Sequence, residues 1–279
     1  MKKVIKSLII TLIYALLAFY FALPAINFKS KNFYMYVISV IVVYLIVSFL
    51  TKAKLASMLG GMQGGKITAS NLRGMKKSTK VLVGIIVVAA IVMIGGDLFS
   101  REFFHAKKYQ QLMNVETREF SEDISQISLK DVPVVDRDSA VRLGNRKLGE
   151  LVELVSQFEV DENSYSYTQI NYNGVPTRVA PLRYGDIIKW FNNQSKGLPG
   201  YLSVDMTTQT VSLVQLEEGM KYSPGEYFFR NLDRHLRLRY PTKIFDDYRF
   251  EIDDSGKPYW ICPVIDYTIG LFGGKDIKG

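Results

Sequence analysis

The sequence predicts an α+β protein, with three N-terminal transmembrane helices followed by an extracytoplasmic domain of repeated helix plus β-hairpin units. Three observations predict it. Long apolar runs occupy about 7–28, 33–50 and 81–99. Charge divides the chain at the same place. Residues 1–100 hold 12 basic residues and one acid, a net of +11, while residues 101–279 hold 23 basic and 26 acidic residues, a net of −3. From Asp136 onward, short amphipathic segments alternate with paired period-two segments joined by turn residues.

Each apolar run is about as long as a bilayer core requires. Ser7–Phe28 is uncharged and follows Lys2, Lys3 and Lys6; Asn32–Thr51 is the second run. The third, Val81–Phe99, is the stalk that holds the rest of the chain. Its stretch Val81–Gly96 spans only about 24 Å as a helix, which places Asp97 at the interface. Aromatics gather near the span ends (Phe19, Tyr20, Phe21, Phe28, Phe33, Tyr34, Tyr36), as an interfacial belt would. No Asp, Glu, Lys, Arg or His lies at mid-depth, so the spans read as an anchor rather than a conduit.

Orientation follows the Lys/Arg bias of short loops. The loop 51–80 carries Lys52, Lys54, Lys66, Arg73, Lys76, Lys77 and Lys80 and no acid, whereas the loop near Asn27–Asn32 carries only Lys29 and Lys31. The N-terminus and the 51–80 loop are therefore expected in the cytoplasm, and the chain after Phe99 outside it. A competing reading makes the first run a cleavable signal peptide with Ala22–Ala25 as its processing site, which leaves the later domain outside as well. Within the loop, Gly60–Thr68 approaches a phosphate-binding loop. Ile67 stands where that motif needs a hydroxyl, and no strand–helix context surrounds it. A basic loop drawn to anionic lipid heads fits better.

Residues 101–132 read as a connector ending at Pro133, and 133–279 as the outer α+β domain. Asp138 or Ser139 caps an expected helix to about Phe158, and Tyr165–Tyr172 with Val175–Pro181 flank Asn173-Gly174, a strong hairpin signal. Tyr184–Asn193 is a second helix, followed by strands Tyr201–Met206 and Thr210–Leu216. A third helix from Ser223-Pro224 through Tyr240 precedes strands Tyr248–Asp253 and Pro258–Tyr267 around Asp254-Ser255-Gly256. Segments 139–181, 183–216 and 224–267 thus each read helix, then hairpin. The ending Gly273–Gly279 reads as a turn awaiting another strand, so a C-terminal truncation is expected.

The helix-plus-hairpin order resembles PepSY-type domains, which restrain peptidases or act as interaction modules. The stretches VVDRDSAVRLGNRKLG (134–149), QINYNGVPTRVAPL (169–182), EGMKYSPGEYFFRNLDRHLRLRYP (218–241) and PYWICPVIDYTIGLFGGKDIKG (258–279) resemble uncharacterised multi-pass membrane proteins of Gram-positive bacteria. That resemblance implies a place in the cell envelope and carries over no functional residue.

Candidate chemistry is sparse. His105 and His235 are the only histidines, too few for a zinc site. Cys262 alternates with Trp260 on a strand, with His235 its only potential base nearby, and reads as a small buried hydrophobe. Asp246-Asp247 and Asp253-Asp254 bracket a strand, and turn chemistry accounts for the second pair. Arg230, Arg234 and Arg237 fall on one face of the third helix and are the candidate partner-binding residues, suited to a carboxylate, a wall-polymer phosphate or an acidic protein. Tyr165, Tyr167, Tyr172, Tyr201 and Tyr259 are a candidate recognition surface or cross-strand pairs.

These readings exclude a nucleic-acid binder, since the folded part is slightly acidic. They imply no cofactor and no metal. The expected function is a non-catalytic, membrane-anchored interaction, scaffold or regulatory module of the cell envelope. Its partners would be the lipid bilayer and another membrane or envelope protein or wall polymer. An envelope hydrolase using carboxylates and an accessory subunit of a transport complex are the alternatives. A thiol placed at Ser70 should react with a membrane-impermeant maleimide only after permeabilisation; labelling of intact cells would reverse the topology.

Overall fold

The computed structural model describes residues 2–52, 77–111, 115–123 and 126–279. The Gly60–Thr68 stretch and Lys54, Lys66, Arg73 and Lys76 lie outside the described residues. The protein is mixed helix and sheet, apolar helices first and a β-rich region after them. It divides into two compact units. One is residues 1–113 with Pro241–Ile244 and Asp266–Asp276; the other is Asn114–Tyr240 with Phe245–Ile265 and Ile277–Gly279.

In the first unit, α1 spans Lys2–Ala22, α2 Lys31–Lys52, α3 Lys77–Phe99 and α4 Glu102–Gln110. Within them Val4–Ala22, Lys31–Ser48 and Lys80–Phe99 are long and apolar enough to cross a membrane. The first apolar run extends in sequence to Phe28, but its helix stops at Ala22. Leu23 takes a positive φ of 46° and Pro24, which has no N–H to donate, follows it. α1 and α2 pack side by side: the Tyr36 hydroxyl donates to the Ala15 carbonyl (3.0 Å) and the Phe19 ring meets Tyr36 edge-on. None of the apolar window of α3 is buried inside the protein. At about 25 cal/mol per Å² of apolar surface, such helices are stable only where something other than water covers them.

The second unit holds α5 (Phe120–Asp123), α6 (Arg137–Gly149), α7 (Val152–Val155), β1 (Phe158–Val160), β2 (Thr168–Tyr172), β3 (Val175–Tyr184), α8 (Ile187–Asn193), β4 (Leu198–Asp205), β5 (Val211–Met220), α9 (Leu232–Arg239), β6 (Arg249–Ile252) and β7 (Pro258–Ile261). The first five strands form one antiparallel sheet. β3 holds β1 and β2 in succession on one edge and β4 on the other, and β5 lies outside β4. The β2–β3 turn puts Asn173 and Gly174 at φ 52° and 83°, the two positive values a type I′ turn needs.

One face of the sheet packs on α6. Ala140, Gly144 and Leu148, spaced four apart, line the buried side of that helix, over a core that includes Ala180, Leu182, Leu202 and Val204. Gly144 has a packing reason: a Cβ there would sit 3.0 Å from Leu202 Cδ1. The other face brings Val179 and Tyr201 against Phe250, with Trp260 beside them. The odd and even positions of β3 and β4 are therefore buried alike, which is why their sequences do not alternate cleanly.

Three sequence expectations change. The helix expected to reach Phe158 ends at Gly149. Leu151 leaves the helical region (φ −104°, ψ 80°), and Phe158–Val160 becomes a strand paired with Leu182–Tyr184. The helix expected from Ser223 begins only at Leu232, because Phe228 takes a positive φ of 47° and the Asn231 side chain caps the Arg234 N–H at 3.2 Å. The strand expected over Pro258–Tyr267 is split at Cys262–Val264, so β8 (Ile265–Ile269) pairs instead with β9 (Phe272–Ile277) around Gly270. Gly273 to Ile277 thus lies within a strand and is not a turn. Helix precedes hairpin three times in chain order, but the hairpins are not equivalent: two share one sheet and the third stands alone.

Pro241–Ile244 and Asp266–Asp276 belong with the apolar helices. The Ile26 N–H donates to the Pro241 carbonyl (2.7 Å), Asn27 Nδ2 to the Thr242 carbonyl (2.8 Å), and Lys29 Nζ pairs with Asp266 at 2.7 Å. Lys31 Nζ lies 3.3 Å from Asp97 and 4.5 Å over the Phe272 ring. Leu202→Ala should cost about 2–5 kcal/mol, since a fully buried leucine leaves a cavity between helix and sheet. Thermal unfolding of the full chain in detergent would show a lower midpoint; an unchanged midpoint would mean that α6 does not seal this face.

Candidate functional site: a groove beside an open strand edge

A cavity of 870 Å³ opens on the sheet face opposite α6. Its floor is Tyr201 and Ser203 of β4 with Ser212, Val214 and Leu216 of β5, and its wall is Ile252 and the turn Ser255–Pro258. Tyr201 ties floor to wall by donating its hydroxyl to the Gly256 carbonyl at 2.7 Å. Burial pushes that phenol up to about 12, so it stays a neutral donor. Gly256 sits at φ 82°, and a Cβ there would come 3.4 Å from the Tyr201 hydroxyl.

β5 is the outermost strand, paired with β4 alone among the described residues. Asp205 N–H donates to the Thr210 carbonyl at 2.9 Å, which closes the hairpin on a hydrogen-bonded pair. Antiparallel alternation then turns the backbone groups of Ser212 and Val214 toward β4 and those of Val211, Leu213 and Gln215 outward. A strand edge with outward N–H and C=O groups is a template for one more strand. Glu217, Glu218, Lys221, Tyr222, Lys257 and Tyr172 rim the groove.

The candidate residues read from the sequence fall elsewhere. Arg230 lies in a 3₁₀ turn, Phe228–Arg230, and Arg234 and Arg237 lie on α9. They do not make one exposed cationic face. Arg237 turns inward, with its Nη1 donating to the Tyr240 carbonyl at 3.4 Å and its guanidinium 5.9 Å from the Phe245 ring. Desolvation there pulls its pKa below the usual arginine value. Of the five tyrosines, Tyr167 and Tyr201 are core, and Tyr172 lines the groove. Cys262 donates to the Trp260 carbonyl at 3.6 Å, burial pushes its thiol up to about 11, and His235 stacks on Tyr222 at 3.9 Å. Asp253 accepts from Ser255 Oγ, Ser255 N–H and Lys257 N–H, which holds its carboxyl below the usual range and commits it to the turn. His105 Nε2 lies 3.1 Å from the Phe99 carbonyl oxygen. Among the described residues no group of three or more His, Cys, Asp or Glu is placed to hold a metal.

One ionisable group escaped the sequence reading. Glu226, expected at the start of a helix, is only 6% exposed, accepts from Trp190 Nε1, and leaves Oε1 buried with no hydrogen-bond partner. Desolvation raises its pKa to about 7, against the lowering pull of Trp190 and Arg230. The Trp190 ring in turn packs against the Tyr227 and Phe228 rings.

No family model, no curated protein and no solved structure matches this chain.

The Glu226 site sets a pH dependence. Its folded pKa lies above the unfolded value, so its stabilisation is complete at acid pH and is lost as pH rises from about 4.5 to about 7. Glu226→Gln should keep the Trp190 contact, flatten that slope and raise the thermal midpoint at pH 8. An unaltered pH profile in the variant would place the slope elsewhere.

Proposed function

We propose that this chain is a non-catalytic, membrane-anchored interaction module of the cell envelope. It takes an extended segment of another membrane or envelope protein as an added strand along β5. The open edge beside the groove is the observation that carries this reading. Backbone hydrogen bonds to Val211, Leu213 and Gln215 would supply affinity, and the groove would select every second side chain of the segment. Two of the candidate reactive groups read from the sequence are engaged in structural contacts. The Cys262 thiol is held protonated, and the Asp253 carboxylate is spent on a turn.

The three apolar helices are the anchor, and the domain lies on the extracytoplasmic side. Two observations favour that side. The Lys/Arg bias favours a cytoplasmic 51–80 loop. The α1–α2 connection also bonds Pro241, Thr242 and Asp266, so the later chain shares a side with the loop that carries fewer cations. The PepSY-like order of helix then hairpin fits a role in restraining or presenting a partner.

A photo-crosslinking residue at Gln215 of the full chain in cells should give a protease-sensitive adduct, and one at Arg142, on α6, should not. Gln215→Pro removes an outward N–H without breaking a rung to β4, so it should abolish capture while leaving the thermal midpoint close to unchanged. Equal adducts at both positions, or an adduct that only wall-degrading enzymes remove, would overturn strand addition.

A further inference from the structure

We infer that Phe99–Tyr109 is a collar that lies in the lipid headgroup layer and binds anionic lipid phosphates through Lys107 and Lys108. This rests on α3 being a membrane span. The window Lys80–Phe99 is 20 residues long, and at about 1.5 Å per residue it uses up the hydrocarbon thickness, so Phe99 arrives at the boundary. The chain then turns. Arg101 is extended (φ −64°, ψ 148°) and α4 starts at Glu102. α4 begins three residues past the boundary, which puts its start beside the headgroup region.

The side chains suit that layer and not water. Phe103 is 85% exposed, with Phe99 and Phe104 also exposed beside it. Their rings form one cluster, Phe104 lying 5.5 Å from Phe99 and 5.4 Å from Phe103. No residue of α4 is buried. A contiguous exposed aromatic patch marks a surface that something else covers. Continuity with α3 names the cover: the bilayer surrounding the span reaches this patch without a gap in the chain.

The charges fit the same occupant. Between Phe99 and Tyr109 stand Arg101, Lys107 and Lys108 against the single acid Glu102. Arg101 is partly neutralised, since its guanidinium lies 3.9 Å from Asp97. His105 leaves the helical region (φ −126°, ψ 16°), so α4 is kinked between the Phe103-Phe104 pair, which follows the span, and Lys107-Lys108. Rings next to the span and ammonium groups a few residues further on suit an interface, where aromatics enter the upper acyl region and lysines reach back to phosphate.

The test uses the full chain in nanodiscs, with Cys262→Ser and single cysteines carrying a spin label at Phe103, at Val88 inside α3, and at Thr208 in a hairpin turn. The label at position 103 should be accessible to oxygen and shielded from a nickel chelate, position 88 more so, and position 208 the reverse. Phosphatidylglycerol should be enriched over phosphatidylcholine around the protein, and Lys107→Gln and Lys108→Gln should each reduce that enrichment roughly fivefold, the order expected for a cation at an anionic surface. A nickel-accessible position 103 with a shielded position 88 would overturn the collar alone. Exposure of both would overturn the membrane reading beneath it. A shielded position 103 with no lipid preference would overturn the phosphate role of the lysines.

Discussion

The β-rich unit depends on burial of both faces of one strand pair. In β3 and β4, Val179, Ala180, Leu182, Leu202 and Val204 are wholly buried and Tyr201 nearly so, odd and even positions alike. A strand covered on both sides needs a separate partner for each face. α6 supplies one cover and β6 with Phe250 supplies the other. Both covers are bonded in place. The Tyr167 hydroxyl donates to the Ala140 carbonyl on α6, and Thr168 Oγ1 donates to the Phe250 carbonyl on β6. β5 shares both covers, with Val211 and Leu213 packed on one core and Val214 and Leu216 on the other, but has one strand neighbour among the described residues. The open edge and the groove are thus the margin of a core whose centre is complete.

The apolar-helix unit obeys the opposite rule. Its helices carry apolar residues all round and bury little of them within the protein, so the surrounding medium does the covering. Among the described residues, polar contacts gather at one end, where Lys29 meets Asp266, Lys31 meets Asp97, and the loop amides meet Pro241 and Thr242. Mid-depth has no charged residue, and the ends have several.

The sequence made some elements plain for physical reasons. The three apolar runs stand out because each is long and apolar enough to cross a bilayer, and Asn173-Gly174 stands out because few residue pairs accept two positive φ values. Asp186 was less visible, yet its carboxylate caps Lys189 and starts α8. Other features depended on contacts remote in sequence. Gly144 weakens a helix by propensity, and only Leu202 across the core explains it. Glu226 reads as a helix-start acid until Phe228 breaks the helix and Trp190 captures the carboxylate. Arg230, Arg234 and Arg237 fall in line on an ideal helix, but Arg230 is not on that helix and Arg237 points inward. The groove itself was illegible. Tyr172 and Tyr201 could be read from the sequence, but the edge position of β5 depends on which strands pair, and no local signal states that.

Hydrogen–deuterium exchange at single-residue resolution on the free chain tests the open edge most directly. The amides of Ser212 and Val214, bonded to β4, should exchange slowly, and those of Val211, Leu213 and Gln215 should exchange as fast as a solvent-facing edge allows. Slow exchange at all five would mean that the edge is already covered, which would contradict a site awaiting a strand.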